Sequence, residues 1–285
     1  MVRARMTRSE RPLLHDAPIG VFDSGLGGLT VARAIRRALP HEDLVYLGDT
    51  ARVPYGTRSA ETVIRYARSC ARLLESHGIK LLVVACNTVS AVALDMLRVE
   101  LDMPVLGVIE PGARAAVAAS ETGRIAVIAT NGTVASFAYP RAVASFESKA
   151  DVKQQPAPLL VPLVEEGWLD GEVPQLVVRR YLEPLLAGSD IDALVLGCTH
   201  YPLLEDLIAK EARAIRRGPI AVVDSGVAAA KELEALLADR GLNARRARPG
   251  ALRLLVTDRP GKFAEVASRF LGETVDGLDV TQVDL

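Results

Sequence analysis

Leu194-Val195-Leu196-Gly197-Cys198-Thr199-His200-Tyr201-Pro202 reads as a buried strand running into a cysteine-bearing turn. An earlier stretch, Leu82-Val83-Val84-Ala85-Cys86-Asn87-Thr88, has the same form: an apolar run, a small residue, a cysteine, then a threonine within two residues, all ahead of a helix-like segment. A short apolar run closed by polar turn residues is the pattern of a central parallel strand, and open α/β sheets place their chemistry at the carboxyl ends of such strands. Two of the three cysteines thus hold equivalent local positions.

Outward from these two stretches the chain alternates strand-like and helix-like segments. Residues 19–24 read as a first strand, and Gly25-Leu26-Gly27-Gly28 as a tight turn into a helix that runs to about Leu39. Further strands are predicted at 44–48, 81–85, 105–109, 125–129, 194–197, 220–223 and 252–256, with amphipathic helix-length segments between most of them. That order predicts mostly parallel sheets. Glu110-Pro111-Gly112 and Gly218-Pro219 are the strongest punctuation and read as two crossings between domains. The bracketed segment looks like a weak repeat of what precedes it, since Ile125 to Thr130 parallels Ile19 to Ser24 and each is followed at a comparable distance by a cysteine turn. The expected fold is α/β, with two similar doubly wound lobes, mostly parallel sheets and a cleft between them. A basic tail at 1–17 is expected to be disordered, the first lobe to comprise 18–110 with 219–285, and the second lobe 111–218.

Composition bounds the partners. At 285 residues the chain can bury a large core, and 49% hydrophobic residues with only 4% aromatic fits an α/β enzyme rich in Ala, Val and Leu. A formal net charge of -1 gives no reason to expect nucleic acid, although Arg3, Arg5, Arg8 and Arg11 crowd the amino terminus. No apolar run approaches the roughly 18 to 20 residues of a membrane helix, and no signal-peptide core is visible, so a cytoplasmic place is expected. Three cysteines, an odd number without a disulfide spacing, point to free thiols.

Each motif has a plainer reading beside the functional one. Gly25-Leu26-Gly27-Gly28-Leu29-Thr30 resembles a dinucleotide-binding turn with Thr30 at the third glycine, and Asp49 stands where a ribose-binding acid would. Against it, Asp23 lies directly ahead of the turn, where its charge would repel a pyrophosphate. Cys70 falls on the apolar spacing 66, 67, 70, 73, 74 of a helix and reads as packing. Cys86 and Cys198 each stand at a strand end beside a helix start, where unpaired N–H groups favour a thiolate. Zinc held by Cys86, Cys198 and His200 lacks the usual ligand spacing, so no metal is expected, and His200 reads instead as a group that tunes a thiol. Asp23, Ser24, Pro54-Tyr55-Gly56, Asn87, Thr88, Thr130, Asn131, Thr133 and Thr199 supply further polar groups at strand ends and turns. Some are plain helix caps; converging on one cleft, they would suit a compact zwitterion with an extra carboxylate.

Six motifs in order, D-S-G-L-G-G at 23–28, G-D-T-A-R-V-P-Y-G at 48–56, A-C-N-T at 85–88, A-T-N-G-T-V at 129–134, V-P-L-V-E at 161–165 and L-G-C-T-H-Y-P-L-L at 196–204, resemble the glutamate racemases of the aspartate/glutamate racemase superfamily. The resemblance runs from about residue 18 to the end and implies a cofactor-independent isomerase that makes D-glutamate for peptidoglycan, as a homodimer. Carried over by position, it implies Cys86 and Cys198 as the acid/base pair, assisted by Asp23, His200 and Glu165. It implies substrate contacts at Asp23, Ser24, Pro54, Tyr55, Gly56, Cys86, Asn87, Thr88, Thr133, Cys198, Thr199 and His200. Glu166 follows Glu165 at once, and the sequence leaves open which of the two faces the site. Val89 stands where Ala is more usual. Racemisation needs a proton removed from one face of Cα and another delivered to the opposite face, and two thiols on two strand ends meet that need. The alternatives are an aspartate racemase or related isomerase, which pocket length decides, and a non-catalytic amino-acid-binding protein in which the cysteines merely pack.

Overall fold

The computed structural model describes residues 14–272 and 280–285. Among these residues ten strands form two sheets in which every pairing is parallel. The first sheet runs in the order β10 (Val280–Gln282), β9 (Leu252–Val256), β2 (Leu44–Gly48), β1 (Ile19–Asp23), β3 (Leu81–Val84), β4 (Val105–Gly107). The second runs β6 (Asp151–Pro156), β5 (Arg124–Ala129), β7 (Ala193–Gly197), β8 (Ala221–Asp224). Taken as successive quartets, β1–β4 and β5–β8 fall in the same spatial order, second, first, third, fourth. The weak repeat in the sequence therefore has a topological counterpart. Cys86 follows the third strand of one quartet and Cys198 the third strand of the other.

The crossovers are helical, as parallel pairing requires. They are α1 (Leu29–Ala38), α2 (Ala60–Ser76), α3 (Asn87–Glu100), α4 (Ile109–Ala119), α5 (Asn131–Ala135), α6 (Ala138–Phe146), α7 (Leu160–Glu165), α8 (Glu172–Leu186), α9 (Glu205–Arg216), α10 (Ser225–Asp239) and α11 (Pro260–Leu271). With helices on both faces, β1, β2, β3 and β7 are buried along their whole length, which is why they read as continuous apolar runs. α10 joins the sheets: it packs against α1 on one and α4 on the other. Its amino terminus is capped by Asp224, whose Oδ1 accepts the N–H of Gly226 at 2.7 Å and of Val227 at 3.3 Å. One apolar cluster runs unbroken from Ile19 and Leu44, through Ile35 and Leu233, to Leu194 and Ile208.

The structure departs from the sequence reading in several places. Two strands went unforeseen: β6 has the sequence Asp-Val-Lys-Gln-Gln-Pro and lies at a sheet edge, as does the short β10. Edge strands keep polar and charged residues, so neither shows an apolar run. The segment 220–223, assigned to the first lobe, pairs with β7 instead, so the chain leaves the second sheet only after Asp224 and not at Gly218-Pro219. Glu110-Pro111-Gly112 is no loop but the first turn of α4, where proline's missing N–H has no partner to lose. Of the tail expected to be disordered, residues 1–13 lie outside the described residues. Residues 14–17 are placed: Lys80 Nζ donates to the His15 carbonyl at 2.8 Å and the Arg245 N–H to Asp16 Oδ1 at 3.2 Å.

Candidate active site

β1 ends at Asp23, which is fully buried and turns its carboxylate onto the loop that follows: Oδ2 accepts the Gly25 N–H at 2.8 Å. The glycine turn is close-packed and not a phosphate cradle. A Cβ on Gly28 would lie 2.4 Å from that of Asp23, and one on Gly27 would lie 2.2 Å from Thr199 Oγ1 and 2.5 Å from His200 Nδ1. Thr30, in the third glycine position, donates to the Thr199 carbonyl at 2.9 Å and so ties α1 to the second cysteine turn. Asp49, the acid a dinucleotide would need, is buried and accepts from Arg52 Nε at 2.6 Å, from Thr257 Oγ1 at 2.9 Å and from the Tyr55 hydroxyl. The dinucleotide reading fails on both counts.

The two cysteines have unlike surroundings. Cys86 is the residue before α3 and is 6% exposed; its thiol donates to Ser24 Oγ at 3.6 Å. Position at a helix start was expected to favour the thiolate. Burial and the nearby Asp23 charge outweigh the Val89 N–H and push Cys86 up to about 12, so this thiol keeps its proton. Asp23 is itself raised by burial, which the charge of His200 and the N–H groups of the glycine turn only partly offset. Cys198 is followed by a 3-10 turn, Tyr201–Leu204, and not directly by an α-helix. Its sulfur lies 3.8 Å from His200 Nδ1, and His200 Nε2 lies 3.1 Å from Glu165 Oε1. Burial disfavours a charge on His200, but its contact with Cys198 and its bond to Glu165 prevail and raise it to about 10. Burial likewise opposes ionisation of Glu165, yet the hydrogen bond from His200 and its charge hold that carboxyl below its ordinary value.

Both cysteines open onto one cavity of about 220 Å³. Its lining includes Ser24, Pro54, Tyr55, Gly56, Asn87, Thr88, Thr199, His200 and Glu165, so of the two adjacent glutamates it is Glu165 that faces inward. Asp23 and Thr133 are fully buried and stand behind the wall, not in it. Thr130 takes the lining position and bonds to Thr133 Oγ1 at 3.0 Å and to Thr88 Oγ1 at 2.9 Å. Tyr55 faces the cavity with its hydroxyl already committed to Asp49. Sequence reasoning missed an apolar wall made of Val53, Pro158 and Val161. Val53 belongs to the motif at 48–56 and Val161 to V-P-L-V-E, but neither motif marked them as lining. Beside the cavity the Gly132 N–H donates to the Gly56 carbonyl at 3.0 Å, joining the loop after β2 to α5. Cys70 is buried in α2, away from this cavity, and its thiol is pushed up by burial. A larger hollow of about 970 Å³, between α3, α4 and α10, holds none of these groups.

The chain as a whole is similar to known proteins. The family described as Asp/Glu/Hydantoin racemase matches residues 19–233. The chain is 48% identical over 268 residues to a glutamate racemase of Neisseria meningitidis, covering 93% of this chain and 97% of that one. Among solved structures it is similar to a glutamate racemase isoform of Bacillus anthracis, at 40% identity and a TM-score of 0.88, over 94% of this chain and 98% of that one. It is also similar to the glutamate racemase of Francisella tularensis in complex with D-glutamate, at 35% identity and a TM-score of 0.86, over 95% and 98% of the two chains. With the strand order, the paired cysteine turns and these relatives in agreement, the chain belongs to the Asp/Glu/hydantoin racemase family.

Proposed function

We propose that this chain interconverts L-glutamate and D-glutamate by a cofactor-independent two-base reaction and so supplies D-glutamate for peptidoglycan. The observation that carries the reading is that Cys86 and Cys198, from equivalent strand ends of two sheets, line the same small cavity. The relatives named as glutamate racemases supply the substrate. A cavity of about 220 Å³ suits an amino acid and is smaller than the roughly 300 to 1,000 Å³ of sites for larger ligands.

In this reading Cys86 carries its proton at rest and delivers it to one face of Cα, while the Cys198 sulfur acts as base at the other. The C–H bond breaks toward Cys198 and a new one forms from Cys86, which leaves Cys198 protonated and Cys86 as the thiolate; that form turns over the opposite enantiomer with the roles reversed. His200, charged and bonded to Glu165, assists Cys198, and Asp23 stands behind Cys86. Ser24, Asn87, Thr88 and Thr199 offer polar contacts to the substrate. Pro54 and Gly56 shape the mouth and Tyr55 presents its ring, because its hydroxyl is taken. Thr133 acts through Thr130. The developing carbanion would be stabilised by these fixed dipoles in a site shut from water. The lobes are those read from the sequence, with the return crossing moved past Asp224, and a homodimer in the cytoplasm completes the proposal. Among the described residues no helix is long and apolar enough to cross a membrane.

The test is purified protein with L-glutamate alone, followed by circular dichroism. Decay of the signal to zero, with no added cofactor, is expected. A signal that persists, or decays only with aspartate, would refute the assignment.

A further inference from the structure

Asn87 follows Cys86 directly and lines the cavity, yet is only 2% exposed. Its side-chain nitrogen donates to the Tyr139 hydroxyl oxygen at 2.9 Å and to Ser225 Oγ at 3.2 Å. Ser225 gives its one hydroxyl proton to the Leu196 carbonyl at 3.1 Å, so its oxygen meets Asn87 with lone pairs alone. That favours the amide as found. Turned over, it would set its own carbonyl oxygen against those lone pairs and bury an NH₂ group without acceptors. In the orientation found, Asn87 Oδ1 is buried and has no hydrogen-bond partner.

The two partners belong to the other sheet. Tyr139 lies on α6 and Ser225 opens α10 immediately after β8, while Asn87 opens α3 after β3. Both partners pack closely against glycines: a Cβ on Gly112 would come within 2.9 Å of Ser225 Cβ, and one on Gly197 within 3.0 Å of Tyr139 Cε2. Both are almost wholly buried and neither lines the cavity.

We propose that Tyr139 and Ser225 are positioning residues for the reaction: they clamp the Asn87 amide across the boundary between the sheets, so that Oδ1 is a preset acceptor next to the Cys86 thiol. Of the groups on an amino-acid zwitterion only the ammonium donates hydrogen bonds, and it is the group such an acceptor would hold. This inference rests on the racemase reading of the cavity. Its physical content is that an acceptor fixed before the substrate arrives orients Cα without reorganising during the reaction.

Tyr139→Phe and Ser225→Ala each delete one partner with little change of shape. Both are to be measured in the wild-type and in an Asn87→Ala background, for kcat and KM with each enantiomer. Exchange of the Asn87 side-chain NH₂ protons is followed by NMR on ligand-free protein. Each single variant is expected to lower kcat/KM by about tenfold, the scale of one neutral hydrogen bond, and to change it less than about twofold once Asn87 is alanine. The Asn87 NH₂ protons should exchange slowly in the wild type and quickly in both variants. Losses of equal size in the two backgrounds would mean that Tyr139 and Ser225 merely pack, and unaltered exchange would equally overturn the proposal. Should Ser225→Ala not fold, Tyr139→Phe decides alone. A wild type that leaves glutamate unracemised would sink the proposed function, whereas the exchange measurement would still decide whether the amide is clamped.

Discussion

At the scale of single residues the two cysteines are equivalent in the chain and unequal in their surroundings. Cys86 is held protonated by burial and by Asp23, whereas Cys198 faces a charged His200 backed by Glu165. If each serves one face of the substrate, neither tolerates loss of its thiol. Cys86→Ser and Cys198→Ser should each lower racemisation by roughly 10² to 10⁴, because a hydroxyl is too weak an acid to stand in. In D₂O the wild type should place deuterium mainly in the product enantiomer; direct carry-over of the Cα proton, or near-normal rates in one variant, would break the pairing. His200 also links the site to stability. Its proton is held to about 10 in the folded chain against an ordinary 6.5, so the stabilisation it brings is complete below 6.5 and is lost as the pH rises through 10. Cys86 acts in the same direction, from 9.0 to about 12. The melting temperature of the wild type should fall across pH 6.5 to 10, and His200→Asn should flatten that slope; a flat wild-type profile would remove the charged histidine.

At the scale of elements, the site is made by strand ends pressed together with no side chain between them. Gly27 is the clearest case, since a Cβ there would overlap Thr199 and His200. Gly27→Ala should therefore cost about 1 to 3 kcal/mol, a drop of roughly 2 to 4 °C for each, and should lower activity by displacing the Cys198 turn. Gly261→Ala, in α11 with open space around it, should be neutral, and an equally silent Gly27→Ala would refute the close packing. The same elements show what the sequence could reveal. Strands buried on both faces declared themselves as apolar runs, and the two cysteine turns stood out because they repeat one another. β6 and β10 stayed hidden because edge strands are polar. Within the site, residue type and position pointed to Asn87 and Tyr55, and the family resemblance to Glu165. They could not show that Tyr55 spends its hydroxyl on Asp49, or that Thr130 and not Thr133 reaches the cavity, because side-chain direction at a helix start depends on packing from the other sheet. Tyr139 and Ser225 carry no motif at all.

At the scale of the whole molecule, the two sheets are joined by the shared core through α1 and α10 and by the Gly56–Gly132 backbone bond. The repeated strand order has a further consequence. Mirror-image amino acids have the same free energy in water, so the equilibrium constant of the reaction is one, and kcat/KM must be the same whichever enantiomer is offered. A fold that repeats itself around the substrate is free to furnish its halves differently, and this one does, with serine and aspartate at one thiol and histidine and glutamate at the other. That difference cannot bias the product ratio, and the place left for it is the way each hand divides kcat/KM between turnover and saturation. The prediction is that kcat and KM each differ between the two directions by a common factor, readable from progress curves begun with either pure enantiomer. Identical kcat and KM in both directions would mean that the unlike partners of Cys86 and Cys198 are kinetically silent.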